Sequence, residues 1–462
     1  MVTYQDLLAV GDGLLERSVF VRDAIEKHKT SALYKIAKTA DEYDRCRNTT
    51  IMKYQKTVTT VTGQQIPDNY SPTHRSTSNY FNIFTTQLNQ YLLANGVTWG
   101  DKATDKKLGA DFDTRLQQAG KYALCGGVSF GFWNYDHMEV FPVLEFAPLY
   151  DEENGALAAG VRFWQIDDAK PLRATLYEMD GYTNYLWLID AKHKPSEDWT
   201  LISDGAYMQN KKPYKLKQRV SEADGVEIYA GENYKAFPIV PLWGNPHKQS
   251  ELVGMQEKID AYDFILNGFE NDLDNAQIFW IIKGAGGMDD LDLMQFLDRL
   301  RTVKAAAPAD GQDVQAEKVE IPYEARERLL DRLENQLYKD AMLMNPANIA
   351  GGAATATQIK AAYEPQNSKA DDYEYCVVDF LHGILAIAGI DDEPTFTRST
   401  IVNTQEEVQT LVQAASYLSN EYVTRKVLSL LGDGDQADEV LKAIDANDAE
   451  RLGNLEEVTV NG

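Results

Sequence analysis

The stretch LVGMQEKIDAYDFILNGFENDLDNA, residues 252–276, decides how the chain is organised. Its apolar residues fall at Leu252, Met255, Ile259, Tyr262, Leu266, Phe269, Leu273 and Ala276, a three-four-three-four spacing. That repeat draws one continuous seam along a helix and suits packing against neighbouring helices. At about 1.5 Å per residue the helix would run roughly 38 Å. A second row, Asp260, Asp263, Asn267, Glu270 and Asp274, follows similar spacing on the opposite side. Alone, such a helix is an ordinary core helix with a solvated face. Its neighbours in the sequence give it a more specific meaning.

Downstream, Ile278-Phe279-Trp280-Ile281-Ile282 is a five-residue apolar run that reads as a strand. Gly284–Gly287, a short helix at Asp289–Leu300, a strand at Val303–Ala307, a mobile stretch at Pro308–Gln312 and Val319-Glu320-Ile321 follow. Residues 278–321 therefore read as a small α/β insertion. Tyr323–Met344 reads as a second long helix, with Leu329, Leu333, Leu337 and Ala341 every four residues. Its Arg326, Arg328 and Arg332 are placed to meet acidic groups on the first helix or on a neighbour. Two long helices are thus joined at one end by a compact insertion.

The segment Asn345–Thr357 carries no charge and two adjacent glycines, Gly351 and Gly352, and is expected to move. A helix at Thr357–Tyr363, interrupted by Pro365 and resuming at Ser368–Ile387, follows. Thr404 and Glu407 form a capping box for a helix over Thr404–Leu418. A second helix begins at Ser419 and ends near Leu431-Gly432, and an acidic one runs from Gln436 to about Leu452.

Upstream, residues 3–46 read as helices broken near Gly11–Gly13 and Lys29–Ser31. Residues 47–75 look like an extended excursion. Further helices fit Ser76–Asn95 and 106–124. From Gly126 the apolar period becomes two, giving strands at Val128–Phe132, Val140–Leu144, Gly160–Trp164, Ala174–Met179, Tyr182–Leu188, Trp199–Ser203, Ala206–Gln209, Val226–Tyr229 and Phe237–Leu242. Asp180-Gly181 marks a hairpin. Helices followed by an antiparallel meander make an α+β region, and the chain as a whole is α+β and mainly helical.

Composition narrows the function. The net charge is −26, which repels nucleic acid in bulk and argues against a sequence-reading DNA binder. A protein that lets DNA pass without sticking is compatible with it. Three cysteines far apart give neither a disulfide framework nor metal-ligand spacing. The opening residues lack a signal-peptide pattern, and no apolar run reaches membrane-spanning length. Gly127-Val128-Ser129-Phe130-Gly131 matches a nucleophile elbow, but Ser129 lies in a β-prone run without the helix that the elbow needs. There is no phosphate-binding P-loop, no zinc-binding H-E-x-x-H, and Asp433-Gly434-Asp435 lacks the other ligands of a calcium loop. Acid, base and nucleophile never assemble. The reading is a non-enzyme with no metal and no cofactor.

The element order, with Phe237-Pro238-Ile239-Val240-Pro241, Asn245-Pro246 and Ile259-Asp260-Ala261-Tyr262-Asp263 leading into the first long helix, resembles the portal (head-to-tail connector) proteins of tailed bacteriophages, of the siphophage type of Gram-positive hosts. Phe396-Thr397-Arg398, Ile401-Val402-Asn403-Thr404 and Leu418-Ser419-Asn420 are similar to that family's closing segment. The resemblance implies a wing over 1–248, stem helices over 249–277 and 322–344, and a clip over 278–321. It also implies a tunnel loop over 345–357, a kinked wing helix and connector over 358–403, and a crown over 404–462. It implies a dodecameric ring of the chain at one capsid vertex, in the virion and assembled in the host cytoplasm. Double-stranded DNA passes non-specifically through such a ring, pumped by a separate terminase. The major capsid and scaffold proteins and a head-completion adaptor are further partners. The stem's acidic row, Asp260, Asp263, Asn267, Glu270 and Asp274, would line the channel. Asn345, Asn348, Gly351, Gly352 and Thr355 would lie in the tunnel loop. Leu252, Met255, Ile259, Tyr262, Leu266, Phe269, Leu333 and Leu337 would pack between subunits, and Ile278, Trp280, Lys283 and Arg299 would belong to the clip. A capsid-associated adaptor or scaffold without a channel, and an oligomeric hydrolase using Ser129, are the competing readings.

Overall fold

Glycines and side-chain caps cut the N-terminal region into short helices, as its sequence predicts. In the computed structural model, Tyr4–Val10 (α1) is closed by a capping box between Thr3 and Asp6. Gly11, at φ 68°, turns the chain into Leu14–Thr30 (α2). Ser31 accepts from the Tyr34 amide and starts Ala32–Asp44 (α3). The described residues are 2–59, 63–69, 71–189, 195, 198–203, 205–221, 227–274, 278–283, 295, 313–318, 323–348, 356–399, 404–431 and 433–444.

The excursion expected over 47–75 contains a short helix, Thr49–Lys53 (α4), and a small hairpin of Thr57–Thr59 (β1) with Gln65–Pro67 (β2). Tyr80–Leu93 (α5) is followed by Val97–Trp99 (β3). The single helix expected over 106–124 is two, Lys102–Leu108 (α6) and Phe112–Gly126 (α7), because Gly109 takes φ 91°. Glycine takes that conformation without the strain a Cβ would bring, so the chain turns out of the helix there.

The meander makes two main antiparallel sheets. The smaller has the order β14-β4-β5, with Val128–Asn134 (β4), His137–Pro142 (β5) and Ile239–Trp243 (β14). The larger has the order β10-β11-β9-β8-β7-β6. Its strands are Phe146–Tyr150 (β6), Leu157–Trp164 (β7), Leu172–Glu178 (β8), Gly181–Trp187 (β9), Thr200–Ser203 (β10) and Ala206–Met208 (β11). Glu178 pairs with Gly181, so the hairpin turn is Met179-Asp180, one residue before the expected pair. Lys215–Ser221 (β12) and Glu227–Glu232 (β13) form a separate hairpin; β6 and β12 were not among the expected strands.

Two cores result. The smaller packs α1 and α2 on the large sheet through Phe20, Val21, Ile25, Val161 and Leu176. His28 is buried at its edge with Nε2 2.7 Å from the Val143 carbonyl, and burial pushes its pKa down. The larger core joins α3, α5 and α7 to the small sheet. Its aromatic side chains bridge the sheets: Phe130 lies 4.4 Å from Phe146, and Phe132 5.1 Å from Tyr177, centroid to centroid. Such pairs contribute about 0.5–1.5 kcal/mol each beyond burial of area.

The C-terminal elements lean on this body. The first long helix is Gln256–Asp274 (α8) and the second Tyr323–Asp340 (α9). Between them Ile278–Lys283 (β15) pairs antiparallel with Asp313–Lys318 (β16). The partner strand thus precedes the expected Val319–Ile321, which lies outside the described residues together with 303–307. Ala356–Ala388 (α10) is one continuous helix of 33 residues, so Pro365 does not interrupt it. Packing on both sides of the proline holds it. Tyr363 stacks on Tyr91 at 5.7 Å, and the buried Gln366 Oε1 accepts from the Met344 amide and from Gln87 Nε2. Those contacts outweigh the one backbone hydrogen bond that proline removes. Pro394–Phe396 (β17) returns to pair with β3. Thr404–Ala414 (α11) and Asn420–Leu431 (α12) follow, and 437–444 is helical.

Candidate functional site

The seam expected over 252–276 changes character along its length, and residues 251–255 form a turn, so the helix itself begins only at Gln256. Leu252, Met255 and Ile259 are buried in the larger core of their own chain, as is Leu337 of α9. The expectation that these four pack between subunits is therefore corrected: they hold the helix pair to the body. Tyr262 meets Tyr80 edge to face at 5.0 Å. Beyond it, Leu266, Phe269 and Leu333 are only half-buried and Leu273 is 50% exposed. The pair is tied by ions as well. Lys258 bonds Asp340 and holds its carboxyl below the usual range. Arg326 reaches Asp272 at 2.5 Å and stacks over Phe269. An arginine of the second helix does meet an acid of the first, though not one in the row singled out by spacing.

The polar row has a partner that the sequence did not disclose. The segment His74–Ser78 runs antiparallel along α8. The amides of His74, Ser76 and Ser78 donate to Asn271 Oδ1 (2.8 Å), Asn267 Oδ1 (2.6 Å) and Asp263 Oδ1 (2.9 Å). Alternate residues of the segment thus meet every fourth residue of the helix. The periods match physically: two extended residues advance about 6.7 Å, four helical residues about 6.0 Å. Asn267 Nδ2 donates back to the Ser76 carbonyl, and Ser76 Oγ to Glu270. His74 Nε2 lies 2.5 Å from Asp274. At the other end, Asn48 Nδ2 donates to Asp263, and Tyr43 Oη and Thr50 Oγ1 donate to the two oxygens of Asp260. Burial, with the Asp260 carboxylate second, pushes the Tyr43 phenol up.

Asp263 is 0% exposed and Asn267 2%. Their expected place on a channel wall is corrected: both are consumed by backbone amides of their own chain. Burial raises the Asp263 pKa against the lowering effect of its hydrogen bonds. Asp260 and Glu270 are half-buried, and Asp274 is exposed at the far end. His74, Ser76, Ser78, Asn48 and Asn271 are the residues missed. Residues 73–79 are polar throughout, so no apolar period marked the segment.

The other expected sites divide between described and undescribed residues. Asn345 is buried, with Oδ1 accepting from the Ala347 amide, so it begins a short 3₁₀ turn, Pro346–Asn348, rather than a free loop. Asn348 lies in that turn, whereas Gly351, Gly352 and Thr355 lie outside the described residues. Ile278, Trp280 and Lys283 sit on β15, with backbone register to Lys318, Ala316 and Asp313; Arg299 lies outside the described residues. Ser129 is fully buried and donates to the Ala119 carbonyl at 2.7 Å, which leaves its hydroxyl bound inside the core. Among the described residues no group of His, Cys, Asp and Glu could hold a metal, and no helix is long and apolar enough to cross a membrane. Cys46, Cys125 and Cys376 are free thiols.

Comparison with known proteins places this architecture. Residues 23–451 match the family described as "Phage portal protein, SPP1 Gp6-like". The portal protein of Bacillus phage SPP1 is 25% identical over 86% of this chain and 80% of its own. The portal protein of Clostridium phage phiCD119 is 25% identical over 43% of this chain, a match spanning 46% of that protein. Among solved structures, the neck of an empty gene transfer agent particle shares 13% identity over 76% of this chain and 89% of that one, at a TM-score of 0.41. A portal protein of the HK97 family from Corynebacterium diphtheriae shares 12% over 68% and 91%, at 0.32. With its family match running through both long helices and the insertion between them, the chain belongs to the SPP1 Gp6-like phage portal proteins.

Proposed function

We propose that the chain assembles into a closed ring at one capsid vertex and that double-stranded DNA passes through the ring during packaging and ejection. The half-exposed end of the α8–α9 pair carries this reading. Leu266, Phe269 and Leu333 are half-covered, and Leu273 and Leu329 lie exposed on adjoining helices. Gly268, in the middle of α8, has no atom beyond its two chain neighbours and its own helix backbone within 4 Å of where its Cβ would stand. Glycine costs a helix about 1 kcal/mol against alanine, so the open space is one that a neighbouring subunit fills. An apolar stripe buried at the body and bare at the far end is half of a helix-packed interface.

Within this reading the exposed acids at the end of the row, Asp274 and partly Glu270, face the passing DNA and repel it, which lowers friction. The uncharged segment 345–357 comes nearest the DNA, and the insertion around β15 and β16 docks terminase and later the head-completion adaptor. The protein acts as a structural channel in the virion and performs no catalysis of its own. Negative-stain microscopy of the purified chain tests the reading. Rings with a central hole are expected, and Leu273→Asp combined with Leu329→Asp should abolish them without lowering the melting temperature. Discrete monomers or solid particles from the unaltered chain would refute it.

A further inference from the structure

A groove of about 880 Å³ lined by basic side chains runs along α3 and α4. Lys29, Lys35, Lys38, Arg47 and Lys53 line it, with Glu42 the one acid on its wall. Lys29 has Glu26 at 3.5 Å. The other four cations have no ion pair among the described residues. Tyr34 and the half-exposed Met52 give the groove an apolar floor. In a chain with 71 acidic and 45 basic residues, folding has left four cations of this cluster without an ion pair among the described residues.

A matching surface lies on α10. Asp372, Tyr375 and Asp379 fall at i, i+3 and i+7, one helix face, with Glu364 a little further along. Tyr375 is 77% exposed, and neither aspartate has an ion pair among the described residues. The neighbouring Asp371 is held by Arg398. An exposed tyrosine on a rigid helix between two carboxylates is the complement of a basic groove with an apolar floor.

The two surfaces belong to different flanks. α5 packs against both α3 and α10, and Gly120 of α7 faces Tyr373 on the inner side of α10. A groove on one flank and its complement on another produce head-to-tail contacts between copies, which close into rings when the rotation allows. Each copy carries −26, so two copies repel at a distance, and a contact between them must match opposite local charges. DNA, a uniform polyanion, offers no such tyrosine-centred complement. We infer that the α3–α4 groove receives the acidic Tyr375 face of α10 from the adjacent copy of this chain. The inference rests on the ring reading and adds the residues that join the subunits.

The test uses two charge-reversed full-length chains. Lys35→Glu with Lys38→Glu brings the groove from five cations and one acid to three of each, cancelling its positive charge opposite the acidic face; Asp372→Lys with Asp379→Lys makes both surfaces basic. All four positions are exposed, and circular dichroism confirms that each variant folds. By native mass spectrometry and microscopy each variant alone should show ring content reduced about tenfold or more, and an equimolar mixture should recover rings of alternating variants. Rings at the unaltered level from either variant alone, or no recovery on mixing, would overturn the inference. Normal rings from the Lys35→Glu, Lys38→Glu chain that fail to retain DNA would assign the groove to nucleic acid instead. Should the unaltered chain form no rings, the ring reading falls, and association of the two variants with each other still decides whether this contact exists.

Discussion

Replacing Asp263 by alanine probes the junction of the polar row. The Asp263 carboxylate accepts from the Ser78 amide at 2.9 Å and from Asn48 Nδ2 at 2.5 Å, with no exposure to water. Alanine leaves both donors without this acceptor. Asn48 keeps its second hydrogen on the Ser78 carbonyl, so its loss is partial. Each unsatisfied buried donor costs about 1–3 kcal/mol, and removal of a carboxylate that burial disfavours returns some of that. The net is about 2–3 kcal/mol, felt first as local detachment of residues 74–80. Hydrogen exchange reads it: protection of the Ser76 and Ser78 amides should fall about 30- to 150-fold while that of β4 holds. Asp263→Asn keeps an acceptor and should change protection less than about fivefold. The pH dependence has a definite sign. A carboxyl raised above its ordinary 3.8 stabilises the attached segment fully below that value, and this contribution is lost as pH rises through the folded pKa. The asparagine variant should therefore gain on the unaltered chain as pH climbs from about 4. Unchanged protection in Asp263→Ala, or an asparagine variant as damaged as the alanine one, would refute this account of the row.

Two further outcomes follow from contacts elsewhere. At Gly120 an added Cβ would stand 2.1 Å from Tyr373 Oη and 2.3 Å from Asn89 Oδ1, two buried groups bonded to each other, so Gly120→Ala should destabilise by about 1–3 kcal/mol, measured as a lowered melting temperature. Arg398 bonds Asp371, Glu374 and the Asn367 carbonyl and ties the 394–399 return to α10; Arg398→Ala should cost about 1 kcal/mol at low salt and less at high salt, read by proteolysis of the 394–399 segment.

Apolar periodicity was legible because burial imposes it locally. The seam of 252–276, the small-residue breaks in 3–46 and the 172–187 hairpin all follow from local spacing, and the element order together with short motifs such as Phe237–Pro241 pointed to the portal family. Three features were not legible for separate reasons. The β12 strand, KLKQRVS, carries four charged or amide side chains and no alternation that reads as a buried face. Pro365 argues locally for a break, yet Gln366, Gln87 and Tyr91 supply tertiary contacts that override it. The partner of the polar row lies about 190 residues away in sequence, in a stretch with no apolar signal at all.

That last case changes what a polar stripe on a long helix means. Spacing shows which residues share a face but not whether the face is wet. In α8 the same row is dry at Asp263 and Asn267, where a backbone segment docks, and wet at Asp274. The apolar seam runs in parallel, buried at Ile259 and bare at Leu273. The apolar transition falls near the middle of the helix, whereas the docked segment follows the polar row to Asp274, so α8 is anchored on two sides over its first half and on one side over its second, whose apolar stripe is left available. An anchor on two sides fixes the direction in which the second half points, and a fixed direction is what allows many copies to bring their second halves together around a common axis.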